Sequence, residues 1–87
     1  MKKFLLAYNP VSGDAMFKKK LDDIINQFQS RDCIIMPYRT KKESFDPFFA
    51  NCVRNVNADG IIAAGGDGTL HKIINITLHE NLDVPVG

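Results

Sequence analysis

An α/β fold built on a mostly parallel sheet is predicted by three observations. Short apolar runs alternate with segments of helical periodicity from end to end of the chain. Each apolar run stops at turn residues, as strands covered on both faces do. A glycine-rich turn, Gly65-Gly66-Asp67-Gly68-Thr69, joins the apolar run Ile61-Ile62-Ala63-Ala64 to a helical stripe. Strands separated by helices pair in parallel through right-handed crossovers, which gives a three-layer sheet-and-helix arrangement. Four strands at most are expected.

Phe4 to Tyr8 is a continuous apolar run and reads as the first strand. Asn9 to Asp14 is a polar turn containing Pro10 and Gly13, with Asp14 suited to cap the next helix. Phe17, Leu21, Ile24 and Phe28 then follow the stripe of an amphipathic helix. Cys33 to Tyr38 is the second strand and Arg39 to Lys42 its exit. The second helix is predicted from Asp46 or Pro47, because proline is tolerated in a first turn and Asp46 can cap. Its stripe is Phe48, Phe49, Cys52, Val53 and Val56, and Asn57 to Gly60 turn it into the third strand, Ile61 to Ala64. The third helix is predicted from Thr69 to Leu78, with Leu70, Ile73, Ile74 and Leu78 at helical spacing. Leu82, Val84 and Val86 start a fourth strand, interrupted at its edge by Pro85. Because the chain stops as that strand begins, residues 1–87 read as a segment of a longer protein and the fold as incomplete.

A length of 87 residues allows one small domain, and 45% hydrophobic with 24% charged residues is a globular composition. The net charge of +1 makes no bulk case for nucleic acid or an anionic membrane. Lys18-Lys19-Lys20 reads as a solvated helix face. Cys33 and Cys52 show no metal-ligand spacing and read as buried, reduced thiols of a cytosolic protein. Residues 1–7 mimic the start of a signal peptide, but the apolar run ends at Asn9-Pro10 with no cleavage site after it. No apolar run approaches the length of a membrane span. Phe45, Phe48 and Phe49 can be read as a membrane-touching patch or, on burial statistics, mostly as core.

In a parallel α/β sheet, ligands bind beyond the carboxyl ends of the strands, where strand order reverses. Three turns lie on that rim: Asn9 to Gly13, Arg39 to Lys42 and Gly65 to Thr69. A strand order beginning 2-1-3 would make the first and third neighbours. Gly65 and Gly66 can adopt positive φ and admit a ligand close to the backbone, and Gly68 would allow tight passage into the helix. Thr69 can cap that helix or donate to a phosphate. Such a turn cradles an anion, and the lone acid Asp67 then implies a metal ion or a proton transfer; a plain glycine connection with a capping Asp is the alternative. The spacing is neither G-x-x-x-x-G-K-[ST] nor G-x-G-x-x-G, so a Walker A loop and a dinucleotide Rossmann site are disfavoured. Asn9 and Ser12 can bond a ligand or their own backbone. Thr40 by itself is a loop threonine. His71 and His79 are eight residues apart on one helix, too far for a shared metal.

Asn9-Pro10-Val11-Ser12-Gly13 after the first strand, together with Gly65 to Thr69 after the third, resembles the nucleotide-binding half of the diacylglycerol kinase catalytic domain. That superfamily includes bacterial lipid kinases, sphingosine kinases and, more distantly, NAD kinases and phosphofructokinases. The resemblance covers essentially the whole chain in motif order and spacing. The first motif favours the lipid-kinase branch.

The resemblance implies an ATP site lined by Asn9, Pro10, Val11, Ser12 and Gly13, with Thr40 near the nucleotide. Gly66, Asp67, Gly68 and Thr69 would wrap the phosphates, with Gly65 also in the nucleotide site. Asp67 would organise the reactive end of ATP, through magnesium or a water network, for transfer of the γ-phosphate to a lipid hydroxyl. It further implies a cytoplasmic enzyme peripheral to the membrane, touching lipid through a later β-rich domain that supplies the general base. The unfinished sheet edge leads us to expect pairing with a second copy.

Two departures stand out. Bacterial members follow the glycine motif with an apolar residue and Asn-Glu, where this chain has Leu70-His71-Lys72. Members also continue past a segment like Val84 to Gly87 into a Gly-Thr-x-Asn-Asp loop. An NAD kinase-like phosphotransferase and a non-catalytic nucleotide-binding remnant are the competing expectations.

Overall fold

The computed structural model describes residues 1–9, 15–41, 46–65 and 67–87; for residues 15–19 and 67 it describes the backbone alone. The elements alternate as β1 (Lys2–Tyr8), α1 (Ala15–Gln29), β2 (Cys33–Arg39), α2 (Pro47–Val56), β3 (Gly60–Ala64) and α3 (Asp67–His79). The strands form one parallel sheet in the order β2-β1-β3. Tyr8 is in register with Arg39 on one side and Ala64 on the other. The expectation of an α/β fold on a mostly parallel sheet holds, and among the described residues both strand pairings are parallel. The 2-1-3 order puts the reversal of strand order at β1.

Local sequence explains where the helices stop. Each is followed by a left-handed residue able to bond its own backbone: Asp32 (φ 60°), Asn57 (φ 55°) and Asn81 (φ 55°). After α2, Asn57 N–H donates to the Arg54 carbonyl and Ala58 N–H to the Val53 carbonyl, which closes the last turn. Asp59 then joins the sheet through both backbone and side chain. Its N–H donates to the Lys3 carbonyl at 2.7 Å, and its Oδ2 accepts from the Lys3 N–H at 2.8 Å. At the start of α2, Asp46 caps as expected, with Oδ1 accepting from the Phe49 N–H at 3.1 Å and Pro47 in the first turn.

Alternate residues of β1 face two layers. Leu5 and Ala7 meet Phe49 and Val53 of α2 and Ile73 and Ile76 of α3 in one buried cluster that also holds Ala58 and Ile61. On the other face Phe4 packs edge-on against Phe28 of α1, with ring centroids 5.6 Å apart. Leu6 and Ile35 are buried as well. Phe49, Leu6, Ile61 and Ile73 are the largest fully buried side chains, each contributing roughly 1.5–3 kcal/mol by burial.

Several expectations change in detail. The fourth strand begins as a single parallel bridge between Val86 and Ile61. Pro85 does not interrupt it, because the pairing uses the Pro85 carbonyl, which accepts from the Ile61 N–H at 2.9 Å. Gly87 N–H donates to the Ile61 carbonyl and Ala63 N–H to the Gly87 carbonyl, so residues 85–87 continue the sheet beyond β3. Cys33 and Cys52 are free but only half-buried. The phenylalanines divide: Phe49 is wholly buried, whereas Phe48 is 59% exposed and stacks on Tyr38 at 6.1 Å. Phe45 and the predicted cap Asp14 lie outside the described residues.

Candidate functional site at the carboxyl rim of the sheet

The register of the sheet carries three of the sequence-predicted residues into one row. One step past the last paired residues, Thr40 follows β2, Asn9 follows β1 and Gly65 follows β3. Asn9 therefore stands between the other two. Neighbouring strands are about 4.8 Å apart, so the row spans roughly 10 Å.

Thr40 is anchored to the central strand. Its N–H donates to the Tyr8 carbonyl at 2.8 Å, and its Oγ1 donates to the same oxygen at 3.1 Å. The ladder between β1 and β2 thus continues one residue past the strand ends, which fixes Thr40 at the rim.

Gly65 has φ +147°, a conformation that side chains rarely adopt. A Cβ there would stand 2.7 Å from Oγ1 and 3.2 Å from Cβ of Thr69. Glycine is therefore required twice, by backbone angle and by space. Immediately beyond, α3 begins at Asp67, two residues earlier than predicted. Thr69 is consequently in the first turn and not at the cap; it is 7% exposed and packs on Gly65. Gly68 does not serve tight passage, since a Cβ there would meet nothing within 4 Å. Pro10, Val11, Ser12, Gly13 and Gly66 lie outside the described residues, as does the side chain of Asp67.

The helix start leaves backbone N–H groups without intrahelical partners at the β3 end of the row, and those groups favour an anion. His71 is exposed and Lys72 half-buried on the second turn of the same helix. Among the described residues no three His, Cys, Asp or Glu side chains gather into a metal cluster. That donor set does not make a metal cage by itself. Magnesium takes one or two carboxylates and completes its shell with phosphates and water. Asp67 is the carboxylate the sequence places at the turn.

Behind the rim is a pair that the sequence did not reveal. Tyr38 Oη donates to Asp46 Oδ2 at 2.7 Å, while Asp46 is 4% exposed. Burial, then the hydrogen bond to Asp46 and its charge, push the Tyr38 hydroxyl well above the ordinary tyrosine range. Tyr38 also meets Phe49 edge-on at 5.0 Å, and Lys41 Nζ lies 5.7 Å from the Phe48 ring. The visible signal was a tyrosine late in a strand with a cap aspartate eight residues later. Only the crossover brings them together.

Comparison with known proteins agrees with this fold. The family model for the diacylglycerol kinase catalytic domain matches residues 3–87. Curated proteins named diacylglycerol kinase from Staphylococcus aureus strains JH9, Newman and COL are each 35% identical to the chain over 74 residues. That alignment covers 85% of this chain and 24% of each relative, so the chain spans about a quarter of their length. With the family matched over nearly its whole length and the parallel α/β arrangement to carry it, this chain belongs to the diacylglycerol kinase catalytic domain family.

Proposed function

We propose that residues 1–87 form the N-terminal, ATP-binding part of a lipid kinase that transfers the γ-phosphate of ATP to a diacylglycerol-like hydroxyl. The observation that carries this reading is the row Thr40, Asn9, Gly65 at the strand-order reversal, set before the start of α3. Family membership supports a kinase chemistry for the row.

In this reading Asn9, Pro10, Val11, Ser12 and Gly13 line the nucleotide, Thr40 flanks it, and Gly65, Gly66, Gly68 and Thr69 approach the phosphates. Asp67 orients the reactive end. Bound magnesium would neutralise charge on the phosphates, and Asp67 is the residue that would help hold it. Phosphoryl transfer relies mainly on positioning and electrostatics, which a rigid rim supplies. A general base for the lipid hydroxyl is assigned to the later domain, which also makes the membrane contact. The enzyme would work from the cytoplasm on lipid at the membrane surface; no described helix is long and apolar enough to cross a membrane.

Calorimetric titration of the chain with ATP, with and without magnesium, tests the proposal. We expect saturable binding that magnesium strengthens and that Asp67→Ala weakens, and no lipid phosphorylation by residues 1–87 alone. Absence of ATP binding under both conditions would overturn it. His71-Lys72 favours one second reading, a nucleotide-binding module without catalysis. Binding that ignores both magnesium and Asp67→Ala would support that reading.

A further inference from the structure

We propose that Pro37 closes the β2 edge of the sheet to strand addition, so that a second copy of the chain cannot pair there. Among the described residues β2 is the outer strand on its side, bonded to β1 and to no further strand. An outer strand offers open N–H and C=O groups, a ready template for another chain. The device is independent of the nucleotide site and holds whether or not the rim binds ATP.

The direction of each backbone group follows from the two ends of the pairing. Lys2 N–H donates to the Asp32 carbonyl, and Thr40 N–H donates to the Tyr8 carbonyl. In a parallel ladder both backbone groups of a residue face the same neighbour, and successive residues face opposite sides. Ile34, Met36 and Tyr38 therefore bond β1, whereas Cys33, Ile35, Pro37 and Arg39 turn their backbone groups to the open side.

Pro37 has no N–H, and its ring occupies the place where an incoming carbonyl would sit. Because Pro37 faces outward, it takes no bond from the β1–β2 ladder. Two copies meeting at this edge about a two-fold axis would run antiparallel. With the strands fully overlapped, Pro37 of each copy would stand opposite Ile35 of the other in both central pairs. Each Ile35 carbonyl would then lack its donor. Any register joining three successive outward residues includes Pro37. Pro37 and Arg39 are exposed, so this half of the edge is open to an approaching chain and is protected by its chemistry.

Sedimentation velocity of the chain, Pro37→Thr and Pro37→Val tests the proposal. A fourth protein carries the hydroxy-acid analogue of valine at position 37, introduced by ligation at the free thiol of Cys33. Joined by an ester, that analogue has the side chain of valine and no N–H. Both substitutions should fold, since neither touches the β1–β2 ladder. They should tighten self-association relative to the unaltered chain by roughly ten- to a hundredfold, the effect of two restored hydrogen bonds. The ester should associate like the unaltered chain. Amide exchange locates the contact: the Ile35 N–H should be protected in the associated variants and unprotected in the unaltered chain. Variants that associate no more tightly, an ester that associates as they do, or association without protection at Ile35 would each overturn the proposal. Loss of folded structure in both variants would overturn the outward placement of Pro37 on which it stands.

Discussion

The hydroxyl of Tyr38 donates to Oδ2 of Asp46 at 2.7 Å, joining the end of β2 to the start of α2 across the crossover between them. The other carboxylate oxygen caps α2 through the Phe49 N–H. One buried carboxylate therefore serves a helix start and a strand end at once.

Removing that carboxylate should cost more than a helix cap alone. Losing a cap costs about 1 kcal/mol, and leaving the Tyr38 hydroxyl unpaired adds about 1–3 kcal/mol. Asp46→Ala should accordingly lower unfolding stability by roughly 2–4 kcal/mol. Tyr38→Phe, which spares the cap, should cost less. Urea denaturation of the two variants checks the order, and equal losses would contradict the shared role.

The same pair predicts an alkaline effect. The Tyr38 proton is held more tightly in the folded chain than at the unperturbed value of 10.0, because burial and Asp46 disfavour the phenolate. Below pH 10 both folded and unfolded states keep the proton, and the contribution is complete. As pH rises above 10 the unfolded chain loses its proton first, so stability falls toward the folded value. The stability difference between the unaltered chain and Tyr38→Phe should be constant from pH 7 to about 9.5 and shrink above pH 10. Chemical denaturation across that range reads it directly.

Gly65→Ala should be destabilising through two separable causes. The backbone at φ +147° disfavours any side chain, and the new Cβ would meet Thr69. A loss of roughly 1–3 kcal/mol is expected from the backbone alone. Thr69→Ala removes the 2.7 Å contact with Oγ1 but leaves the φ requirement. The double variant should therefore recover only part of the loss. Thermal unfolding of all four proteins gives the coupling, and full recovery would assign the whole effect to crowding.

His71-Lys72 bears on magnesium. If the rim binds nucleotide as proposed, Lys72 supplies positive charge where the family resemblance implies an acid. His71→Asn with Lys72→Glu should then increase the ratio of ATP affinity with magnesium to affinity without it, chiefly by weakening metal-free binding. Titrations at fixed ionic strength decide this, since simple charge effects are screened by salt. An unchanged ratio would mean that residue 72 does not sense the phosphates.

The order and type of the elements were determined by the sequence alone, because periodicity and turn chemistry act over a few residues. The apolar runs became the strands, Asp46 became the cap of α2, and Gly65 took the positive φ that its neighbours forbid to any other residue. The same local signals placed Asn9, Thr40 and Gly65 after strands, without saying that they would share a row. That row was decided by the tertiary structure, since strand order and register depend on pairing between distant segments. Tertiary contacts likewise left Phe48 exposed beside a buried Phe49, joined Tyr38 to Asp46, and turned the Thr40 hydroxyl toward Tyr8. Helical spacing assigns a residue to a face but cannot weigh two adjacent aromatics against a particular neighbour. A hydroxyl's one proton goes to whichever acceptor the fold brings within reach, and here that acceptor lies 32 residues away along the chain.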